Sequence, residues 1–461
     1  MYRFLSTLNQ LMWGSGLLFL LLGTGLLCLF SGKFAALRSF RLLVRKQKNT
    51  PKSEGMSAFA ASATSLAAAM GTGNIAGVAT ALTLGGAGAI FWMWAAALVG
   101  MALIYAENVL GCRFRRRNKE GFPICGAMAY LRFGLQSPKL AAAFAVCCTA
   151  ASFGMGNMTQ SNAMAQTLNA AFSVPPAASG IAAALLTGVV ILGGAKRIGK
   201  FTCAVIPLLS AAYLLAAGVV IWKFRENLGS AFSSIFDGAF GISAAGGGIS
   251  GAAVQHAMSV GLRRGVFSNE AGLGSSSILH GDADIESPER MGLFGMCEVF
   301  VDTFVCCTAT ALVILCTGVL DSSADGGALV LEAFRMGMGT AADVLLPPMI
   351  ALFALCTLIG WSYCGSSAFG YLTNGKYIRS YRLVFCLAAG IGAVMRLETV
   401  WVLADIANAG MAYCNLPALL LLYPSAVRVL PEKDRGGCST HTDRHACASE
   451  GGTPHSVRGR A

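Results

Sequence analysis

Two short runs in this chain carry more exposed backbone chemistry than their apolar surroundings tolerate. Gly71-Thr72-Gly73-Asn74-Ile75-Ala76-Gly77 is too rich in glycine to hold a regular helix, and good apolar helix formers flank it on both sides. Ser268-Asn269-Glu270-Ala271-Gly272-Leu273-Gly274-Ser275-Ser276-Ser277 is equally polar and broken. An interrupted helix leaves bare N–H groups at the start of one half and bare carbonyls at the end of the other, so one end attracts a carboxylate and the other a cation. A zwitterionic amino acid beside a sodium ion stripped of its water matches both ends. The competing reading of one such run alone is a close crossing of two helices, and two runs in matching positions weaken it.

Further candidates lie in two long apolar stretches. Phe153-Gly154-Met155-Gly156-Asn157-Met158-Thr159-Gln160-Ser161-Asn162 sets amides where they must find partners. Cys356-Thr357-Leu358-Ile359-Gly360-Trp361-Ser362 offers the Thr357 hydroxyl to a cation, with the Trp361 indole four residues on and on the same helical face. The alternative for both stretches is that they glue helices together. Ionisable residues inside apolar sequence are functional candidates by default. Glu270, within the second run, is expected to gate or to pair with Arg263 or Arg264. Glu298 and Asp302, four apart, and Asp405 read as ion relays or, preferentially, as groups that satisfy polar neighbours, while Glu107 reads as an interfacial residue. His256 and His280 show no obvious partner.

The elements that must hold these residues are membrane helices. Hydrophobic residues make up 55% of the 461 and charged residues 12%, against roughly 45–50% and about 25% in soluble domains. Apolar runs fall at 11–31, 56–82, 87–110, 139–173, 177–195, 202–222, 248–279, 291–319, 343–373, 380–397 and 400–425, eleven predicted spans of an all-α polytopic protein. A short helix, interfacial or re-entrant, is predicted over Ser230 to Phe240. Lys and Arg gather on alternate connections, seven from Lys33 to Lys52 and seven from Arg113 to Lys139, whereas the opposite side holds only Arg3, Lys223, Arg225, Arg335 and Arg396. This asymmetry predicts an N-terminus outside and a C-terminus in the cytoplasm, and it accounts for the net charge of +12 without a nucleic-acid partner. Most of the 16 cysteines sit in apolar runs and read as small hydrophobes. Residues 1–55 form an extra helix and a basic loop, 56–425 the core, and 426–461 a polar basic tail predicted to be disordered, with His441, His445 and His455 as adventitious metal ligands at most. With the first span set aside, ten divide into repeats over 56–223 and 248–425, each opening on a broken span, as in transporters built from inverted repeats.

The pieces GTGNIAGVATALTLGGAGAIFWMW from Gly71, GNMTQSNAMA from Gly156, GGAKRIGKFT from Gly193, GVFSNEAGLGSS from Gly265, EVFVDT from Glu298, CTLIGWSYCG from Cys356 and ADIANAGMAYCNLPALLLL from Ala404 resemble the alanine or glycine:cation symporter family from about Leu11 to Tyr423. The resemblance implies a fold similar to the leucine transporter, five plus five inverted repeats after an extra N-terminal helix, in a bacterial inner membrane. It implies import of alanine or glycine with sodium, or with a proton in its place, and no other cofactor. Thr72, Gly73 and Asn74 would hold the substrate, with Gln160 and Gly272 nearby and Thr357, Leu358 and Trp361 on the other wall. Sodium would sit at Gly71, Asn74 and Thr357. Three residues depart from the family pattern. Cys356 stands where Ser or Thr is usual and is a poor ligand for a hard cation, CGAMAY from Cys125 replaces GGPMYY, and Ser366 replaces a frequent glutamate. The first departure keeps a different cargo, such as serine or a D-amino acid, or proton coupling, as the alternative. A channel would need a filter shared between subunits and an enzyme a His-rich or paired-carboxylate centre, neither of which the sequence suggests. The residues set no oligomeric state.

Overall fold

Glycine, proline and polar caps decide where the helices of this computed structural model start and stop; it describes residues 2–31, 56–241, 249–284, 287–322, 324, 326–395 and 397–427. Helices α1 (Tyr2–Met12) and α2 (Ser15–Ser31) come first. Strand β1 (Met56–Ser57) leads into α3 (Ala58–Ala69), whose first turn is capped by Ser57 Oγ accepting the Ala60 N–H at 3.2 Å. A 3₁₀ turn at Thr72–Asn74 follows, and α4 (Ala76–Gly85) resumes after a bend of 54°. Next come α5 (Gly88–Arg113), the antiparallel pair β2 (Arg116–Arg117) and β3 (Pro123–Ile124), and α6 (Gly126–Ala129). Helix α7 (Pro138–Phe153) runs through a π-helical turn at Gly154–Met158 into α8 (Thr159–Phe172). Helices α9 (Pro176–Ile191), α10 (Gly194–Lys223) and α11 (Leu228–Phe240) complete the first part.

The second part begins with α12 (Ile249–Asn269), a break, α13 (Ser275–Gly281) and β4 (Ala283–Asp284). Helix α14 (Pro288–Val299) passes through a π-helical stretch at Phe300–Cys307 into α15 (Thr308–Thr317). The chain ends in α16 (Gly326–Met338), α17 (Ala341–Thr373), α18 (Ile378–Val394) and α19 (Leu397–Val427). The basic segment 32–55 and nearly all of the 426–461 tail, with its three histidines, lie outside the described residues.

Among the described residues, seven runs are long and apolar enough to cross a membrane, and the bent pair Ala58–Ala69 and Thr72–Gly85 makes eight if counted as one span. The chain is an all-helical multi-pass membrane protein, and among the described residues the strands beside its helices are two residues long. Against the eleven expected spans, the stretches 177–195 and 380–397 fall on α9 and α18, of 16 and 17 residues, which lie against each other. The stretch 248–279 falls on α12 and α13, made shorter and more polar by their break. The surface agrees with lipid as solvent: Leu185, Val189, Leu208, Leu215, Trp222 and Leu421 are exposed while Asn108, Ser152, Asn157 and Thr187 are fully buried. Helix α11, matching the predicted Ser230 to Phe240 element, buries Ala231, Ile235 and Ala239, exposes Phe232, Phe236 and Phe240, and sets Phe240 against Phe91 with ring centroids 4.7 Å apart.

The two broken helices lie side by side. Strand β1, which opens the first, pairs in parallel with β4, which closes the second, in the register Met56↔Ala283 and Ser57↔Asp284. Ser65 on α3 meets Ser276 on α13 with their hydroxyls 3.1 Å apart. Helix α17 closes on α3 because position 360 has no side chain: a Cβ at Gly360 would lie 2.9 Å from both Ala68 N and Ala68 Cβ.

Candidate functional site

The first break frees backbone groups that side chains from three other helices collect. Met70 N turns back to Leu66 O at 2.7 Å and Gly71 N to Ala69 O at 2.8 Å, which leaves the Ala67 carbonyl without its helical donor. Thr357 Oγ1 donates to that carbonyl at 3.0 Å. Thr72 donates to Gln160 Oε1 twice, from its backbone N at 3.2 Å and from Oγ1 at 2.9 Å. Gly71 sits so close to Thr357 Oγ1 and Gln160 Oε1 that a methyl group there would collide with the first. Asn74 presents its carbonyl to Thr310 Oγ1 at 2.9 Å and its Nδ2 to Asp302, at 2.6 Å to Oδ1 and 3.1 Å to the backbone oxygen. Asn74 Oδ1 is buried and has no partner among the described residues.

The second break turns through three left-handed residues, Glu270 at φ +57°, Gly272 at +87° and Gly274 at +79°. Two of them are glycine, for which this conformation is free of cost; Glu270 pays a Cβ clash of about 1–2 kcal/mol. Its carboxylate repays this locally, with Oε1 accepting Trp361 Nε1 at 2.8 Å and Oε2 accepting Ser275 Oγ at 2.5 Å. Ser268 Oγ donates to Asp302 Oδ2 at 2.8 Å, and Thr303 Oγ1 donates to the same oxygen at 2.9 Å while accepting Asn269 Nδ2 at 3.2 Å. A small cavity between the breaks is lined by Ser65, Asn269, Glu270, Ser276, Glu298 and Asp302 among others.

The structure gathers most of the expected residues. Gly71, Thr72, Gln160 and Thr357 form one buried cluster, and a Cβ at Gly73 would lie 3.6 Å from Phe267 and 3.7 Å from Ser268, at the second break. Thr357 and Trp361 share a face of α17 that spans both breaks, the first reaching Ala67 and the second Glu270, while Leu358 is buried in the main apolar cluster. Gly272 stands apart: its left-handed turn aims the Cβ position at Leu416, Leu103 and Leu21, and its carbonyl accepts Asn415 Nδ2 at 3.0 Å. In the long α7–α8 span the amides divide, because Asn157 and Asn162 staple α18 through Phe385 O and Gly392 O, both within 2.8 Å, and only Gln160 reaches a break.

Several ionisable residues are placed otherwise than expected. Glu270 is held by Ser275 and Trp361 in place of an arginine, and the Arg263 guanidinium donates instead to Trp13 O at 2.7 Å. Glu107 is not interfacial; it is wholly buried behind the second break, where Asn415 Nδ2 reaches it at 2.6 Å, because α5 runs through the middle of the bundle against α12, α13 and α14. His280 does have a partner, Glu298, 3.0 Å away, and Ser62 of α3 donates to the same carboxylate at 2.5 Å. Asp405 accepts Asn9 Nδ2 at 3.3 Å and receives Trp13 Nε1 on its backbone oxygen, satisfying polar neighbours as preferred. Asp302, which the sequence offered as a relay or as a group satisfying polar neighbours, bonds to both breaks through its carboxylate, a role the sequence did not assign. Its i,i+4 spacing from Glu298 was the available signal.

The sodium:alanine symporter family model matches residues 1–436. An uncharacterised transporter of Haemophilus influenzae is 40% identical over 423 residues, covering 90% of this chain and 92% of that protein. The sodium/alanine symporter AgcS of Methanococcus maripaludis is 40% identical over 431 residues, with 90% and 94% covered. A protein of Bacillus subtilis named probable sodium/glutamine symporter GlnT is 36% identical over 420 residues, with 90% and 87% covered. A match along nearly the whole membrane part, joined to two interrupted helices meeting at its centre, has one reading: the chain is a transporter, not an enzyme, and belongs to the sodium:alanine symporter family.

Proposed function

We propose that the chain is a secondary active symporter that imports alanine or glycine together with sodium by alternating access. The observation that carries this reading is the junction of the two breaks, where the freed backbone and polar side chains of both breaks meet Gln160, Asp302 and Thr357 from three other helices. Irregular backbone at membrane depth persists only where protein groups or a guest satisfy it. In this reading Thr72, Gly73, Asn74 and Gln160 hold the amino acid against Thr357, Leu358 and Trp361. The close approach of Gly71 to Thr357 and Gln160 limits cargo to a hydrogen or methyl side chain. Sodium takes the oxygens around Gly71 and Asn74 and the Thr357 hydroxyl, which exchanges the Ala67 carbonyl for the ion. Glu270, on Trp361, gates the pocket. Gly272 is left out of this set because of where its turn points.

Eleven spans in a leucine-transporter-like five-plus-five arrangement, with repeats over 56–223 and 248–425, accommodate both breaks as the first span of each repeat. With the N-terminus outside and the C-terminus cytoplasmic in a bacterial inner membrane, the β1–β4 pair, the Arg113–Glu289 ion pair at 2.6 Å and the Tyr363–Asp282 hydrogen bond close the cytoplasmic end. These contacts must part to release cargo inward. Radiolabelled alanine uptake into proteoliposomes, with sodium replaced by potassium, tests the reading: uptake is expected to vanish, and unchanged uptake rules out sodium coupling. A second reading, another small cargo or proton coupling, is motivated by Cys356, and a panel including serine and D-alanine with an imposed proton gradient separates it.

A further inference from the structure

We propose that Asp302 is the positioning residue of the transport site, fixing both the register of the two breaks and the orientation of the Asn74 amide. The inference rests on the symport reading above. Asp302 lies in the π-helical stretch Phe300–Cys307, fully buried. One carboxylate oxygen serves the first break, Oδ1 accepting Asn74 Nδ2 at 2.6 Å, and the other serves the second, Oδ2 accepting Ser268 Oγ at 2.8 Å. Thr303 Oγ1 steadies Oδ2 at 2.9 Å. The Asp302 backbone oxygen takes Asn74 Nδ2 as well, at 3.1 Å, and the Cys307 sulfur lies 3.5 Å from the same nitrogen, so the NH2 end of the Asn74 amide faces Asp302.

That arrangement decides which way the amide faces. Turning it over would press Asn74 Oδ1 against a carboxylate and a carbonyl, three acceptors with no hydrogen between them. Asn74 Oδ1 must therefore point away from Asp302, and it is the buried break oxygen left without a donor among the described residues. A buried acceptor without a partner is unfavourable until something positive reaches it. The guest it suits is a small cation, either the ammonium group of the amino acid or the sodium ion. Asp302 acts through Asn74 and does not itself touch the guest in this assignment.

The test uses full-length protein in proteoliposomes, with three variants. Asp302→Leu fills the space without an acceptor, Asp302→Asn keeps an acceptor for one arm and a donor that the rotatable hydroxyls of Ser268 and Thr303 can meet, and Ser268→Ala cuts only the arm to the second break. Asp302→Leu is expected to raise the half-saturating concentration at least tenfold with maximal rate within about threefold, Asp302→Asn to recover most of that loss, and Ser268→Ala to fall between. A rise confined to alanine assigns the ammonium group as the guest, and one confined to sodium assigns the ion. Equal behaviour of the Leu and Asn variants, or wild-type affinity in Ser268→Ala, overturns the proposal. A second readout stands apart from transport: the Cys307 thiol lies 3.5 Å from Asn74 Nδ2 and 3.4 Å from Ser268 Oγ and is buried. Its labelling by a membrane-permeant maleimide, read by mass spectrometry, is expected to rise at least fivefold in Asp302→Leu over Asp302→Asn. If the wild type accumulates no small amino acid the symport reading fails, and equal labelling still overturns the role of Asp302.

Discussion

Gln160→Leu isolates the hydrogen bonding of the first break from its bulk. Leucine keeps nearly the volume of glutamine and removes every polar atom, so three bonds vanish: two from Thr72 to Oε1, and one from Nε2 to Met155 O at 3.2 Å. They do not weigh equally. Met155 O keeps Thr159 Oγ1 at 2.7 Å and is not stranded. The Thr72 hydroxyl can rotate, whereas the Thr72 N–H is fixed by the backbone of the 3₁₀ turn and is buried. One stranded donor costs about 1–3 kcal/mol, and at 1.4 kcal/mol per tenfold change the apparent affinity should fall roughly 5- to 150-fold if this turn holds the substrate.

That cost is small against the stability of a folded bundle, on the order of 5–15 kcal/mol, so the variant should still insert. Initial rates of alanine uptake at saturating sodium give the half-saturating concentration and the maximal rate separately. The expected outcome is a rise in the first within the stated range and little change in the second. A wild-type half-saturating concentration in correctly inserted Gln160→Leu would refute the reasoning, because the bond would then hold a helix end with no bearing on substrate. So would a fall in maximal rate alone, which would put the bond in the movement and not in the binding.

Asn74→Ala and Trp361→Ala should each abolish uptake with membrane insertion intact, the first by deleting the unpaired oxygen and the second by stripping Glu270 Oε1 of its donor; flotation and uptake measured on the same vesicles check both. Thr357→Val, which keeps the shape and loses the hydroxyl, should raise the sodium concentration for half-maximal uptake at least tenfold, whereas Thr357→Ser should stay within about threefold. Sodium titrations of uptake at fixed alanine decide it, and equal curves for the two variants would remove Thr357 from the cation site.

What the sequence made legible was local. A glycine-dense polar run inside apolar sequence announces a break whatever surrounds it, so both interruptions and most of the residues on them could be named from composition. What it hid was the partnership between distant elements. Asn74 and Asp302 are 228 residues apart and Glu107 and Asn415 are 308 apart, and nothing in a single chain says which helix faces which. Helical periodicity also misleads past a π turn, because the wider turn shifts every later residue around the axis. Two such turns, at Gly154–Met158 and Phe300–Cys307, stand where the structure brings Gln160 and Asp302 to the breaks. Glu298 and Asp302, four apart, do line one cavity, yet the structure sends Glu298 to His280 and Ser62 and Asp302 to the two breaks, a division of partners that spacing alone does not show.

Cys356 is the departure that most directly questions sodium, and its surroundings argue that it concerns packing. The residue is fully buried in a small apolar cluster with Ala67 and Ile206, flanked by Leu66, Phe201 and Val205. The neighbouring Thr357 hydroxyl, by contrast, is aimed at the Ala67 carbonyl. A thiol in such a setting behaves as a small hydrophobe, and a hard cation would gain nothing from it. Replacing it by serine would bury a hydroxyl among apolar neighbours, where the least costly partner is a carbonyl one turn back on the same helix, as serine commonly finds in helices. Cys356→Ser should therefore leave the sodium concentration for half-maximal uptake within about twofold of wild type, with any loss showing as lower thermal stability. A fivefold or greater gain in sodium affinity would mean that the side chain at 356 reaches the ion, and the cation site would have to be redrawn to include it.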